Sequence, residues 1–371
     1  MSKSVLIFEP HPYHYEVVIG VSYYFEQLGY EISLLVRNNF DAQDLFFYSQ
    51  WKDRLHIRHF DDETMKAELE TERVRDYEFL FLSSMEYFHD HTQSRILDYI
   101  GFIPQTKYGI MGIYHNRAML TDDDIKLLSE GRIFALTPFT YKGYQAKRLS
   151  VSYFGEFDIH DTYGGKPEIL LVGGSNKRIL FENAIGNLIK RGCRHFNAGI
   201  IGVNPIQHYV LKTFIRNFIF RITACVRRDG EQKRRSVEGV RKLHFYGKLK
   251  FKEMYSVVLK AAYIGIIMDP EDDGFSDFLY GKTTGARQLA FAFCKPCIIN
   301  RKFAKAFGLN EDCCILYDGN HVEDAVYRAV HADIHTYKGM VRSMAELKEQ
   351  MVKDSLENLL ETVNGVKHAA G

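Results

Sequence analysis

Net charge is the first thing this 371-residue chain lacks: 48 lysines and arginines meet 47 aspartates and glutamates, leaving a formal +1. A balance this even excludes a strongly basic surface, so no nucleic acid is expected as a partner and any basic patch must be local. Long apolar runs are missing too. No stretch of about 18 apolar residues occurs, so no helix is expected to span a bilayer. The first strand starts almost at residue 1, which leaves no signal peptide ahead of it and makes a cytoplasmic location the expectation. Six cysteines, Cys193, Cys225, Cys294, Cys297, Cys313 and Cys314, form no metal spacing. Cys294 and Cys297 make a C-x-x-C, but it straddles a helix end and a strand start around Pro296, so the thiols are read as reduced and structural rather than as a zinc or redox pair. No metal site is expected. A G-x-G-x-x-G after the first strand is absent, which argues against a nicotinamide dehydrogenase. Internal repeats and low-complexity tracts are absent as well.

What is present suits a globular α/β chain long enough for two domains. Hydrophobic residues make up 46% and charged residues 26%; the aromatic share is 14%, with 23 tyrosines and 27 phenylalanines beside a single tryptophan, Trp51, enough for cores and for stacking or membrane-proximal surfaces. Ser4 to Phe8 reads as a buried strand, Val17 to Leu28 as a helix closed by Gly29, and Glu31 to Val36 as a second strand, together a βαβ unit. Leu55 to Phe60, Phe79 to Ser83, Tyr108 to Tyr114, Ile133 to Pro138 and Leu149 to Glu156 continue the series of strands. A polar, glycine-containing stretch, Asp158 to Lys166, reads as a linker. Beyond it, Ile169 to Val172, His195 to Gly202, His244 to Lys248, Tyr263 to Met268, Cys297 to Ile299 and Cys314 to Tyr317 read as strands of a second sheet, and Ser343 to Val363 as an amphipathic helix.

Four places carry chemistry. The most informative is Ala262 to Ile299, in which an apolar strand, an acidic loop and Gly281-Lys282-Thr283-Thr284-Gly285 lead into an apolar helix and another strand. Two hydroxyls, a glycine and a lysine at a helix start suit a phosphate, because free amides and the helix dipole converge there; an ordinary threonine N-cap beside a solvated lysine gives the same letters. Next, the strand Gly109 to Asn116 ends in His115-Asn116, at the carboxyl edge of a parallel sheet where α/β ligands bind; a polar strand end without chemistry is the alternative. Third, Glu168 to Arg178 runs from a strand into Gly173-Gly174-Ser175-Asn176-Lys177-Arg178 before a helix from Ile179 to Lys190. Its glycines allow close backbone approach and its cations suit a diphosphate, though a tight turn with solvated charges is the same pattern. Finally, His11 and His14 lie in the loop after the first strand, either as exposed histidines or as groups reaching a substrate. One further stretch, residues 205–235, mixes aromatics with lysines and arginines; it reads as a core-facing helix with a charged outer face or as a basic aromatic surface for an anionic membrane.

Taken together, these letters resemble the GT-B glycosyltransferases, especially family 4 and its bacterial relatives. Ala290, Ala292 and Pro296 keep the spacing of the family's A-x-A-x-G-x-P-V signature, with Cys294 in place of the glycine and Cys297 in place of the valine. The E-x7-E pair is absent: Gly281 and Leu289 stand where the two donor-binding glutamates fall. Lys282 to Gly285 matches the Lys-Ser/Thr-Ser/Thr-Gly helix start of some relatives. The resemblance implies two Rossmann-like domains facing a cleft, residues 1–160 on the acceptor side and 166–335 binding the nucleotide sugar, with 340–371 as a helix that packs back on the first domain. It implies a retaining, metal-independent transfer from a nucleotide-diphosphate sugar to a glycan or lipid-linked acceptor. His115 would approach the donor sugar as the catalytic histidine. Gly173, Gly174, Ser175, Lys177, Arg178, Tyr246, Gly247, Lys282, Thr283, Thr284 and Gly285 would hold the donor, while His11 and His14 would reach donor or acceptor. Asp269, Asp272, Asp273 and Asp277 are further candidates for sugar hydroxyls. The glycine-basic loop and the lysine-threonine loop are expected to meet at one diphosphate. The nucleotide sugar is a substrate, so no cofactor is implied. A non-hydrolysing nucleotide-sugar epimerase and an inactive GT-B-like subunit of a polysaccharide assembly complex are the alternatives.

Overall fold

A computed structural model describes residues 3–70, 72–89, 106–122, 124–157, 163, 166–173, 175–202 and 243–370. The chain divides into two compact units. The first comprises residues 1–157, 276–284 and 346–371, and the second 158–275 and 285–345. Residues 205–235, read above as a core-facing helix or a membrane-facing stretch, and Cys225 lie outside the described residues.

The first unit is built on β1 (Ser4–Glu9), β2 (Glu31–Arg37), β3 (His56–Phe60), β4 (Phe79–Leu82), β5 (Ile110–Tyr114) and β6 (Ile133–Ala135), followed by a small hairpin of β7 (Thr140–Tyr141) and β8 (Tyr144–Gln145) and by β9 (Lys147–Arg148). Its main sheet runs β3-β2-β1-β4-β5-β6-β9, with every neighbouring pair parallel. Strands buried on both faces need continuous apolar runs, and β1 and β4 supply them: Val5, Leu6, Ile7, Phe8 and Phe79 to Leu82 have no exposed surface. The helix Tyr15–Gln27 packs one face on this sheet through Val17, Val18, Val21, Tyr24 and Phe25.

The strand expected over Leu149 to Glu156 is not formed. β9 ends at Arg148, and the backbone after it makes scattered bonds to Ala135, Tyr24, Ser49 and Tyr48, with side chains of the C-terminal helix Ile334–Ala370 holding the strand end. Ser150 N donates to Ser355 Oγ at 2.9 Å, and Asn358 Nδ2 donates to the Arg148 carbonyl at 3.0 Å. That helix is 37 residues long, longer than the apolar periodicity suggested, and residues 346–370 of it belong to the first unit. Near its end, the Lys367 ammonium pairs with Glu78 at 2.6 Å and lies 5.4–5.7 Å from the ring centres of Tyr30, Phe79 and Tyr108.

The second unit repeats the architecture. β10 (Glu168–Val172), β11 (Asn197–Ile201), β12 (Leu243–Gly247), β13 (Tyr263–Ile266), β14 (Cys297–Asn300) and β15 (Cys314–Tyr317) form a parallel sheet in the order β12-β11-β10-β13-β14-β15. Its core packs Ile169, Leu171, Ile200 and Ile298 against Phe181, Leu188 and Val326. Cys193, Cys294, Cys297, Cys313 and Cys314 are free thiols. Cys294, at the glycine position of the signature noted above, keeps a left-handed φ of 49° without being glycine.

Candidate functional site

The first sheet reverses its winding at β1, where β2 lies on one side and β4 on the other, and α/β sheets place ligands outside the carboxyl ends of the strands at such a point. Three strand ends meet there: Glu9 closes β1, Ser83 and Ser84 follow β4, and His115 follows β5. A cavity of 330 Å³ opens at this edge, walled by His11, His14 and His115 and closed by Glu86, Tyr87, Lys282 and Thr283.

The loop carrying His11 and His14 is held from below. Arg37, the last residue of β2, donates from Nε to the Pro10 carbonyl at 2.5 Å and from Nη2 to Tyr87 Oη at 2.7 Å. The three imidazoles stack in a file, with His11 and His14 centred 4.7 Å apart and His14 and His115 4.3 Å apart and nearly parallel. His115 is buried; its Nε2 donates to the Ser83 carbonyl at 2.8 Å, and its amide donates to the Glu86 carboxylate at 3.2 Å. A carbonyl can only accept, so the neutral ring carries its proton on Nε2, and Nδ1 is left as an acceptor. His14 Nδ1 lies 2.9 Å from Ser84 Oγ.

Burial, then the neighbouring His115, His11 and Lys282, depress His14 to about 2, so it is neutral at any physiological pH. Glu9 is pushed well above the usual carboxylate range by burial, against the hydrogen bonds it accepts from the His11 amide and Ser84. Glu16, in the first turn of the following helix, keeps some accessible surface, but its carboxyl is desolvated enough to be raised to about 6.

Lys282, Thr283 and Thr284 were read as part of the second domain. Residues 276–284 instead pack with the first unit. The physical reason is a tight seat: Gly281 has φ +98°, and an added Cβ would come within 3.3 Å of Phe139 and 3.8 Å of the Arg117 amide. Arg117 also lies over the Tyr280 ring at 5.4 Å. Lys282 pairs with Asp277 at 2.7 Å, and the hydroxyl of Thr283 is buried with no partner among the described residues. Thr284 is buried, and the helix begins at Gly285 rather than at the threonines. Within the acidic loop, Asp269 accepts from Asn320 and the Glu271 amide, and Asp272 accepts from the Gly274 amide.

At the carboxyl edge of the second sheet, Gly173, Gly202 and Gly247 all take φ between +72° and +100°, so the three strand ends turn away with little side-chain bulk above them. Gly202 N donates to the Gly247 carbonyl at 2.8 Å, and Gly173 N to the Ile201 carbonyl at 3.1 Å. The helix after β10 is Ser175–Lys190, four residues earlier than the sequence suggested. Ser175, Lys177 and Arg178 therefore belong to its first turn, because the turn at Gly173 is completed almost at once; Gly174 lies outside the described residues. Arg178 is buried, pairs with Glu182 and stacks 4.9 Å from the Phe245 ring centre. Tyr246 Oη donates to Glu168 at 2.9 Å, at the amino end of β10, and burial together with that carboxylate pushes the phenol to about 12. Its hydroxyl thus points away from the edge where ligands bind.

Sequence reading missed Glu9, Glu16 and Glu86, and saw Ser84 only as one of a small polar pair closing an apolar strand, as at strand ends that line a cleft. Glu9 had a fainter signal, a carboxylate ending a wholly apolar strand. Glu16 and Glu86 had none, since only the loop fold turns them inward. Among the described residues, no group of three or more histidines, cysteines or carboxylates is arranged to hold a metal, and no helix is long and apolar enough to cross a membrane.

No protein-family model and no curated protein matches the sequence. Solved structures do. A glycosyltransferase from Rickettsia africae superposes over 98% of both chains with a TM-score of 0.57 at 11% identity. HepE from Anabaena, solved with UDP and glucose, covers 98% of this chain and 100% of its own with a TM-score of 0.54 at 11% identity. A sucrose-phosphate synthase from Thermosynechococcus elongatus covers both chains fully with a TM-score of 0.55 at 9% identity. The chain has the α/β fold of the GT-B glycosyltransferases.

Proposed function

We propose that this chain transfers a sugar from a nucleotide-diphosphate donor to a hydroxyl of a glycan or lipid-linked acceptor. The observation that carries the reading is the cavity at the first sheet's switch point, in which three histidines meet Lys282 on a fold otherwise seen in enzymes such as HepE, solved with UDP and glucose. The nucleotide is assigned to the carboxyl edge of the second sheet, where Gly173, Gly247 and the first-turn amides from Ser175 onward suit a diphosphate. Lys282 brings positive charge to the first sheet's cavity, and the reading requires no metal. His115 orients a sugar hydroxyl by accepting at Nδ1, its donor being taken by Ser83. The acceptor enters against His11 and His14.

Retention, which the family-4 resemblance implies, delivers the acceptor proton to the leaving phosphate. One observation favours a second outcome, inversion by a base-assisted displacement: His14 Nε2 has no partner among the described residues and belongs to a ring on the cavity wall. The anomeric configuration of the product decides between them. Titration with a panel of nucleoside diphosphates, followed by donor-consumption assays with free and lipid-linked glycans, tests the whole reading. Binding and acceptor-dependent transfer are expected. Isomerisation without acceptor would make the protein an epimerase, binding without turnover a scaffold, and absence of binding would end the proposal.

A further inference from the structure

Behind the histidine wall runs a buried file of hydrogen bonds. His14 Nδ1 lies 2.9 Å from Ser84 Oγ, Ser84 Oγ lies 3.0 Å from Glu9 Oε2, and Glu9 Oε1 accepts from the His11 amide at 2.7 Å. Ser84 and Glu9 have no accessible surface, so the file starts at a cavity-lining ring and ends at a carboxyl sealed from solvent. Resting on the inverting outcome of the glycosyl-transfer reading above, we infer that Glu9 is the terminal proton acceptor of a relay: His14 Nε2 takes the proton of the acceptor hydroxyl while His14 Nδ1 passes its own to Ser84 and Ser84 passes its own to Glu9.

The step balances without another reactant. The acceptor O–H bond breaks as its oxygen bonds the anomeric carbon, and the leaving diphosphate takes the electron pair of the bond it loses. One proton is gained by the Glu9 carboxylate, and Ser84 and His14 end neutral with their hydrogens shifted by one place. After product release the file runs backward and returns the proton to water.

A relay answers a difficulty that a simple histidine base does not. His14 is sandwiched between His11 and His115, so an imidazolium there is opposed by burial and by His115, His11 and Lys282. Passing the proton on keeps the ring uncharged throughout. Glu9 suits the far end. Among the charged groups bearing on it are the carboxylates Glu86 and Glu16, and Tyr15 also faces it. Once ionised it is therefore a stronger base than a surface carboxylate. A serine between the two is the group that serves, because a hydroxyl donates and accepts at once.

Two tautomers of one file follow. With Glu9 protonated, the carboxyl donates to Ser84, Ser84 donates to His14 Nδ1, and the ring carries its hydrogen on Nε2; with Glu9 ionised, the two bonds made by Ser84 reverse and Nε2 is bare, while the His11 amide donates to Glu9 in both. The test is nitrogen NMR of the full-length protein with 15N-labelled histidine, the His14 signal assigned by substitution. The wild type is expected to pass from the Nε2–H to the Nδ1–H tautomer as pH rises, without an imidazolium form. Glu9→Gln keeps the shape and the bond from the His11 amide, but its amide can only donate to Ser84, so His14 should stay Nε2–H at every pH. An imidazolium near neutral pH in the wild type, or the same tautomer change in Glu9→Gln, overturns the relay. Kinetics supply the second arm. With any donor and acceptor the wild type couples, Glu9→Gln and Ser84→Ala should each lower kcat about 100-fold or more, the scale of general base catalysis, with donor KM unchanged and the rising limb of the pH profile lost. Glu9→Gln should melt no lower than the wild type, since it removes a buried ionisable group. Unchanged kcat would sink the relay alone, whereas a wild type that transfers no sugar sinks the glycosyl-transfer reading and leaves the NMR result to decide the relay.

Discussion

Counted within each unit, the two sheets share the strand order 3-2-1-4-5-6, yet their carboxyl edges are chemically unlike. The first edge is crowded with the side chains of Glu9, His14, Glu86 and His115, and burial raises the proton affinity of Glu9 while it lowers that of His14. At the second edge β10, β11 and β12 end in left-handed glycines, and a helix starts two residues after the first of them. Topology decides where a parallel sheet takes a ligand, and the residue after each strand decides what can be done to it. An edge of side chains can move protons. Strand ends of glycine let an anion approach the backbone closely.

Substitutions that exchange these characters test the contrast. His115→Ala should lower turnover by about 100-fold or more, on the general acid–base scale, while the melting temperature changes little, because the backbone bond to Glu86 survives. A collapse in melting temperature would make the histidine structural. Lys282→Ala should weaken binding of UDP-like ligands in a calorimetric titration by roughly 1–3 kcal/mol, the worth of a charge-assisted bond. Undiminished affinity would remove Lys282 from the donor site and leave it to Asp277 alone.

Gly173→Ala forces a side chain into φ +100° at a cost of about 1–2 kcal/mol. It should weaken nucleotide binding while the histidine resonances of the first unit stay where they are. Movement of those resonances would show that the two edges are not separable. Glu16 tests the pH behaviour of the first edge. Its folded-state pKa is raised to about 6 from 4.5, so the folded state binds the proton more tightly than the unfolded chain. Its penalty is absent below pH 4.5, grows as pH rises, and is complete above pH 6. Glu16→Gln should therefore stabilise the protein at pH 7 by about 1 kcal/mol, after the lost attraction of a helix-start carboxylate is subtracted, and by nothing at pH 4. Denaturant melts at the two pH values measure the difference, and an equal effect at both would refute it. His14 has the opposite sign: with its pKa held near 2 it costs nothing above 6.5, and stability falls as pH drops below that value. The smallest effect concerns Cys294, away from both edges. Cys294→Gly should be more stable than Cys294→Ala by about 1 kcal/mol, since both lack the thiol and only alanine keeps a Cβ in the left-handed region.

Much of the fold was legible because buried parallel strands must be continuous apolar runs. The runs from Ser4, Phe79, Ile169, Tyr263 and Cys314 each mark a strand to within a residue or two. Leu149 to Glu156 misled for the same reason, being apolar enough for a strand while its backbone bonds are scattered among Ala135, Tyr24, Ser355, Ser49 and Tyr48. Of the site, the residue types were legible and their company was not. His11, His14, His115, Lys282 and Thr283 could each be singled out by position relative to a strand or helix end. Nothing along the chain shows that the three histidines stack, or that Lys282 joins their cavity.

Residue order by itself determined two α/β units and the strand ends at which chemistry could occur, since hydrophobic period and turn residues act over a few positions. Only the tertiary structure decided that residues 276–284 join the first unit, that Arg178 turns to Glu182 and Phe245, and that Glu9 lies sealed behind Ser84 and His14. These depend on burial and, for Phe139 beneath Gly281, Phe245 beside Arg178 and Ser84 beside Glu9, on partners tens to hundreds of residues away. A carboxylate's proton affinity is a property of its surroundings, and surroundings are not written in the neighbouring letters.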